Sequence, residues 1–234
     1  MLTKLTSAGF ALLILLGASS PGAVVNDFAT FGSQDIGIPS FTLELDKFNP
    51  ALGALTSVTL TLEATSYCNC FGFDNESSSS GSVTLEIGAL VTAKTAFSLA
   101  TTIEAKATRT ESGSVKKDQK NDGNGDFEGN DSFWVSGGGS GASSTIETAP
   151  SVIAQYLAGP SSNTFLVTIA NSLFSKATTS GLFGPTSANA GSFYGKVTVA
   201  YSYLLVPVPE AGTAFWGMCL GVFAATRRMR TRRS

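Results

Sequence analysis

Histidine is absent from all 234 residues. That removes Ser-His-Asp and Cys-His catalysis together with the commonest metal ligand. Cysteine is nearly absent too, with only Cys68, Cys70 and Cys219. The first two form Tyr67-Cys68-Asn69-Cys70, and a lone C-x-C lacks the second ligand pair of a zinc site. Two readings of it stand: a small, strained disulfide in an oxidising compartment, or two thiols packed in a loop. Charge is sparse, 14% of residues, and the formal net of −2 conceals an uneven split. All 17 acidic residues lie between the two hydrophobic ends with only nine of the 15 basic ones, a local net of −8. Such a surface repels nucleic acid and anionic polysaccharide and favours neutral or cation-bridged partners.

Long hydrophobic runs are also missing, although each end carries a short one. Met1-Leu2-Thr3-Lys4 is positive, Ala8 to Gly17 is an apolar run of 10 residues, and Ala18 to Ala23 is small and contains Pro21. The pattern predicts a secretory signal peptide over residues 1–23, cut between Ser20 and Val24. No cysteine stands there for lipid attachment. At the other end, residues 207–234 hold Val208-Pro209-Glu210-Ala211, an uncharged stretch of 15 residues over 212–226, and a basic tail over 227–234. As a helix that stretch rises about 22 Å, short of the roughly 30 Å hydrocarbon core. Arg227, Arg228, Arg230, Arg232 and Arg233 would stop translocation and snorkel their charge to the cytoplasmic face, leaving the rest of the chain outside.

This order of parts resembles the PEP-CTERM sorting signal of bacterial surface proteins, departing from it where Ala211 replaces the usual second proline. The resemblance implies an exosortase-type membrane enzyme as a partner, with Val208, Pro209 and Glu210 as the sorting signal. It also implies passage through the inner membrane, temporary anchoring by a single transmembrane helix, and delivery to the cell surface or beyond.

Between the ends, over residues 24–206, hydrophobicity alternates with a period of two. Val58, Leu60 and Leu62 oppose Thr59, Thr61 and Glu63, while Val83, Leu85, Ile87, Ala89 and Val91 oppose Thr84, Glu86 and Thr92. Similar runs fall at Phe41 to Leu45, Phe97 to Thr108, Phe165 to Ile169 and Lys196 to Leu204. Turn clusters at Asn75 to Gly81, Asn121 to Gly125, Gly137 to Gly141 and Gly181 to Gly191 separate them. One short helix is expected at Pro150 to Leu157, stopped by Gly159-Pro160. The fold class read from this is all-β, an antiparallel, jelly-roll-like β-sandwich.

Phe48-Asn49-Pro50-Ala51-Leu52-Gly53-Ala54-Leu55-Thr56-Ser57-Val58, the strand after it, the Phe127 region and Tyr156-Leu157-Ala158-Gly159 resemble the choice-of-anchor E domain. In that likeness Asn49 replaces an aspartate. The family consists of secreted bacterial β domains joined to various anchoring signals, and brings no catalytic residues and no ligand to transfer.

Nothing in the chain pairs a nucleophile with a base at a recognisable spacing, so no enzyme is expected. Glu44, Glu63 and Glu86 stand on the polar sides of alternating strands. Phe133 and Trp134, beside Gly137 to Gly141, form a candidate ligand platform against the simpler reading that they pack in the core. Asp122-Gly123-Asn124-Gly125-Asp126-Phe127-Glu128 has oxygen ligands at a spacing that suits calcium, but Phe127 stands where an EF-hand needs glycine. A solvated acidic turn fits it better, so no cofactor is assigned beyond calcium as a candidate. The two sequons at Asn75 and Asn130 mark surface loops. The expected role is structural or interactive, in the cell envelope or extracellular matrix, with exopolysaccharide as a candidate partner. The alternative is a carbohydrate-binding module.

Overall fold

The computed structural model describes residues 22–119, 125, 127–160 and 162–205. The expected leader, except Gly22 and Ala23, and the whole sorting segment lie outside them. Eleven strands and one short helix follow in order: β1 (Gly22–Asp35), β2 (Phe41–Asp46), β3 (Gly53–Tyr67), β4 (Asn69–Asp74), β5 (Gly81–Thr95), β6 (Thr102–Val115), β7 (Ser132–Gly137), β8 (Ser140–Glu147), α1 (Pro150–Ile153), β9 (Thr164–Thr179), β10 (Thr186–Asn189) and β11 (Ser192–Leu205). A 3₁₀ turn over Pro50–Leu52 precedes β3, and another over Ala154–Tyr156 prolongs α1.

Every pairing between these strands is antiparallel. One sheet runs β1-β11-β3-β8, a second β2-β9-β5-β6, and a small third β10-β4-β7. With the third set aside, eight strands remain. The first pairs with the last, the second with the last but one, and so on inward, which is the strand order of a jelly roll.

The third sheet continues the first. β3 passes into β4 through Cys68 alone, β7 into β8 through Gly138 and Gly139, and β10 into β11 through Ala190 and Gly191, so three strands break at one level. Ser66 and Asn69 are both buried although three residues apart, which an unbroken strand could not achieve. The extra residue is Cys68, held at φ 58°, so Tyr67-Cys68-Asn69-Cys70 is the sequence of a bulge. The Asn69 amide spans the break, donating to the Gly137 carbonyl at 3.2 Å and accepting from the Gly191 N–H at 2.9 Å. Ser66 does the same toward the opposite sheet, its hydroxyl donating to the Ala107 carbonyl at 2.7 Å.

Two apolar clusters fill the space between the layers. Val58, Leu60 and Leu62 of β3 join Val197, Val199, Tyr201, Ala89 and Val91 in the larger. Val83, Leu85 and Ile87 pack instead with Phe71, Phe73 and Val135 beneath the third sheet. Leu60 and Leu85 do sit in opposing sheets as the alternation implies, but they serve different cores.

Three elements depart from the periodicity. β1 was hidden because Val24 and Val25 are consecutive apolar residues, and because its outer side, with Phe28, faces solvent. β10 lies inside the expected turn cluster at Gly181 to Gly191; it is short and polar, and its backbone bonds to β4 hold it. The run from Phe97 begins as a loop, since Phe97 turns inward to meet Tyr156 edge to face and to stack on Phe165, with ring centroids 4.6 and 5.1 Å apart.

Buried tyrosines give this core an alkaline limit. Burial pushes the Tyr201 phenol far above its usual range, with Tyr156, Asp27 and Asp46 adding to the effect. Its hydroxyl donates to the Asp46 carbonyl at 2.6 Å. Tyr156 is also raised, chiefly by burial. A raised phenol keeps its proton in the folded state longer than in the unfolded one. Its contribution is therefore complete below the unfolded value near 10 and falls as pH rises beyond it. Denaturant melts between pH 7 and 12 should show stability declining above about pH 10, with a shallower decline in Tyr201→Phe.

Candidate functional site

Three exposed aromatic residues, Phe28, Tyr194 and Trp134, lie on the outer surface of the kinked layer. On the third sheet, Trp134 of β7 is directly opposite Gly72 of β4, which is in turn opposite Ser187 of β10. The indole lies flat over that glycine: a methyl group on Gly72 would stand 2.8 Å from the ring. Its Nε1 donates to the Phe127 carbonyl at 3.2 Å, and the Phe127 ring leans against it with centroids 5.5 Å apart. Trp134 remains 41% exposed, with Ser136, Cys70 and Asn189 forming the next row of the same face.

Phe133 does not join it. Strand alternation sends its ring to the other face, where it is half-buried against the second core and over Gly113. The expected platform therefore reduces to Trp134 with Phe127, a partner that the sequence places in the acidic loop and not in the platform.

Gly137 to Gly141 is a seam as well as a connection. A methyl group on Gly138 would meet the Ser66 carbonyl oxygen at 1.8 Å, on Gly139 that of Thr108 at 1.9 Å, and on Gly141 that of Lys106 at 2.1 Å. These glycines let β8 press edgewise against the backbones of β3 and β6.

The three carboxylates on strand faces do not converge. Glu44 accepts from the Thr164 hydroxyl at 2.5 Å, and Glu86 pairs with Lys106 at 2.6 Å; both lie outside the second sheet. Glu63 pairs with Lys196 at 2.9 Å outside the first, on the opposite side of the molecule. A glycosidase needs two carboxyl groups across one cleft, and these three do not supply them. Cys68 is exposed, Cys70 half-buried, and both are free thiols.

Of the acidic loop considered for calcium, Asp122 to Glu128, residues 122–124 and 126 lie outside the described residues. Beside it, Glu76 accepts from the Gly125 N–H at 2.8 Å, and Glu76, Asp118 and Phe183 border an open cleft. Among the described residues no three acidic or thiol side chains come together as a metal site, nor is any helix long and apolar enough to cross a membrane. Val208, Pro209, Glu210 and the arginines from Arg227 to Arg233 fall outside the described residues.

No family model and no curated protein matches this chain. Among solved structures it is similar to a chain of the infectious bursal disease virus Gt strain, at 11% identity and a TM-score of 0.16, over 93% of this chain and 52% of that one. A chain of the Gx strain gives 12% identity and a TM-score of 0.17, over 87% and 48%. The chain thus spans about half the length of these two chains. Likenesses at that score carry no argument about fold or function.

Proposed function

We propose that this is an exported, surface-sorted bacterial protein whose β-sandwich has a structural or interaction role in the cell envelope or extracellular matrix. The observation that carries this reading is polarity along the long axis. Gly22 is paired with Leu204, so both ends of the domain leave from one pole, while β11 runs from there to Ser192 and the third sheet continues beyond it. Fourteen residues of β11 span about 45 Å at about 3.3 Å each. A domain tethered after Leu205 would hold Trp134 at the pole farthest from the membrane, as display requires.

In this reading the signal peptide over 1–23 directs export, the helix over 212–226 gives a brief hold in the membrane, and an exosortase-type enzyme acts near Glu210. Pro209 removes a backbone donor and keeps the segment extended and accessible. The tail arginines resist translocation. Changing Glu210→Ala is expected to leave export intact and trap a membrane-bound precursor in a host with a working sorting enzyme. Replacing all five tail arginines should release full-length protein instead. Intact mass of surface-extracted material reads both results, and normal processing of the Glu210→Ala protein would reduce the tail to a plain anchor.

A second reading, a carbohydrate-binding module, is favoured by the indole lying flat and exposed at the distal pole. Aromatic faces stack on the C–H face of neutral sugars, and the net charge of −8 between the two ends disfavours anionic ones. Saturable glycan-array binding that drops at least about tenfold in Trp134→Ala, roughly 1.4 kcal/mol, is the expected result. Binding unaffected by the substitution would remove Trp134 from the reading.

A further inference from the structure

On the same outer surface, on the first-sheet side of the kink, a cleft of about 520 Å³ opens among Thr30, Ser33, Glu63, Thr65, Tyr194 and Lys196. That volume lies within the range of small-ligand sites. Its cause is local. The β1–β11 register shifts between Phe31 and Gln34, so Gly32 and Ser33 bulge away from the ladder, and nothing lies within 4 Å of where a methyl group on Gly32 would project. The bulge also brings the Ser33 hydroxyl into hydrogen bond with the Tyr67 hydroxyl. Tyr67 in turn stands against Tyr194, ring centroids 5.9 Å apart, and Tyr194 keeps 46% of its surface exposed.

We infer that this cleft is a binding site for a neutral polysaccharide, with Tyr194 as the stacking face and the Glu63–Lys196 pair as the hydroxyl-reading group. The chemistry selects that ligand over others. Glu63 and Lys196 are 2.9 Å apart and both solvent-accessible, so they present an acceptor and a donor side by side with no net charge. Two neighbouring sugar hydroxyls match that arrangement, one donating to the carboxylate and the other accepting from the ammonium. The Thr30 hydroxyl can donate or accept, and those of Ser33 and Thr65, already bonded to Tyr67 and Ser140, keep a further lone pair, so together they fit a ring of hydroxyls whose orientation varies. A wholly apolar ligand would strip water from the ion pair without replacing its hydrogen bonds. An anionic polymer would meet the excess negative charge of the domain. The inference shares only its ligand class with the Trp134 reading, since the cleft has its own aromatic residue and its own polar groups.

Affinity electrophoresis of the full chain tests it, in native gels cast with a soluble β-glucan, a galactomannan or dextran, with alginate as the anionic comparison. Retardation is expected in at least one neutral gel and not in alginate. Tyr194→Ala should weaken it at least tenfold, Tyr194→Phe should retain it, and Lys196→Met should weaken it several-fold, with thermal melts confirming that each variant folds. No retardation in any neutral gel overturns the inference, as does unchanged retardation of folded Tyr194→Ala. Loss on Trp134→Ala alone would overturn this cleft while leaving the Trp134 reading in place; loss on Tyr194→Ala alone would do the reverse.

Discussion

Leu60→Ala is expected to lower the stability of the domain by about 2 to 5 kcal/mol, while Thr59→Ala changes it by less than about 0.5 kcal/mol. Leu60 is fully buried in the larger core, and its neighbours belong to rigid strands on both sides, which limits how far the cavity can collapse. Thr59 lies one residue away on the outer face, paired with Ala200 and Ile146. Urea melts of both variants measure the difference. Equal losses at the two positions would mean that β3 is set one residue out of register.

The second large effect is expected from the smallest change, Gly139→Ala. A new methyl group would stand 1.9 Å from the Thr108 carbonyl oxygen, and a backbone atom cannot swing aside as a side-chain terminus can. Either β6 moves away from β8 or the Gly139 carbonyl loses its bond from the Ser66 N–H, now 2.9 Å long. Overpacking of this kind typically costs about 1 to 3 kcal/mol and occasionally more. The rigid seam places Gly139 at the upper end, so loss of about 3 kcal/mol or failure to accumulate as folded protein is expected. Gly159→Ala is the comparison, since nothing lies within 4 Å of its added methyl group. Near-equal melting temperatures for the two variants would contradict the close packing of β8 on β6.

The strands that could be read from the sequence are those with one wet and one dry side. β3, β5 and β11 alternate because their inner residues face a core and most of their outer ones are threonine, serine or charged, with Tyr67, Leu90, Tyr194, Ala200 and Leu204 among the outward exceptions. β1 and β10 escape that logic as edge strands, one carrying apolar side chains outward and the other almost none. The kink was illegible for a different reason: a bulge is specified by one residue with φ > 0, and Cys68 gives no glycine or asparagine signal for it. At the candidate sites, Trp134 was readable as a large aromatic beside a glycine-rich segment. Its separation from Phe133 follows from the two-residue strand period, which sends neighbours in the chain to opposite faces even where they look like one aromatic patch. The Tyr194 cleft has no local signature at all, since its walls come from β1, β3 and β11 and meet only through long-range pairing.

The pairing of β1 with β11 also sets the order of events in time. Gly22 and Leu204, 182 positions apart in the chain, must meet before the first sheet exists. Closing so distant a contact carries a large entropic cost, so the domain belongs among slow folders of high contact order. During synthesis β3 waits for β11, and β2 waits for β9. Until the last strand emerges, the first sheet lacks the strand that joins β1 to β3, and their apolar sides stay open. A chain in that condition stays extended enough to be threaded and is prone to aggregate if left alone. Delay in this topology is therefore compatible with moving the polypeptide across a barrier first and folding it afterwards.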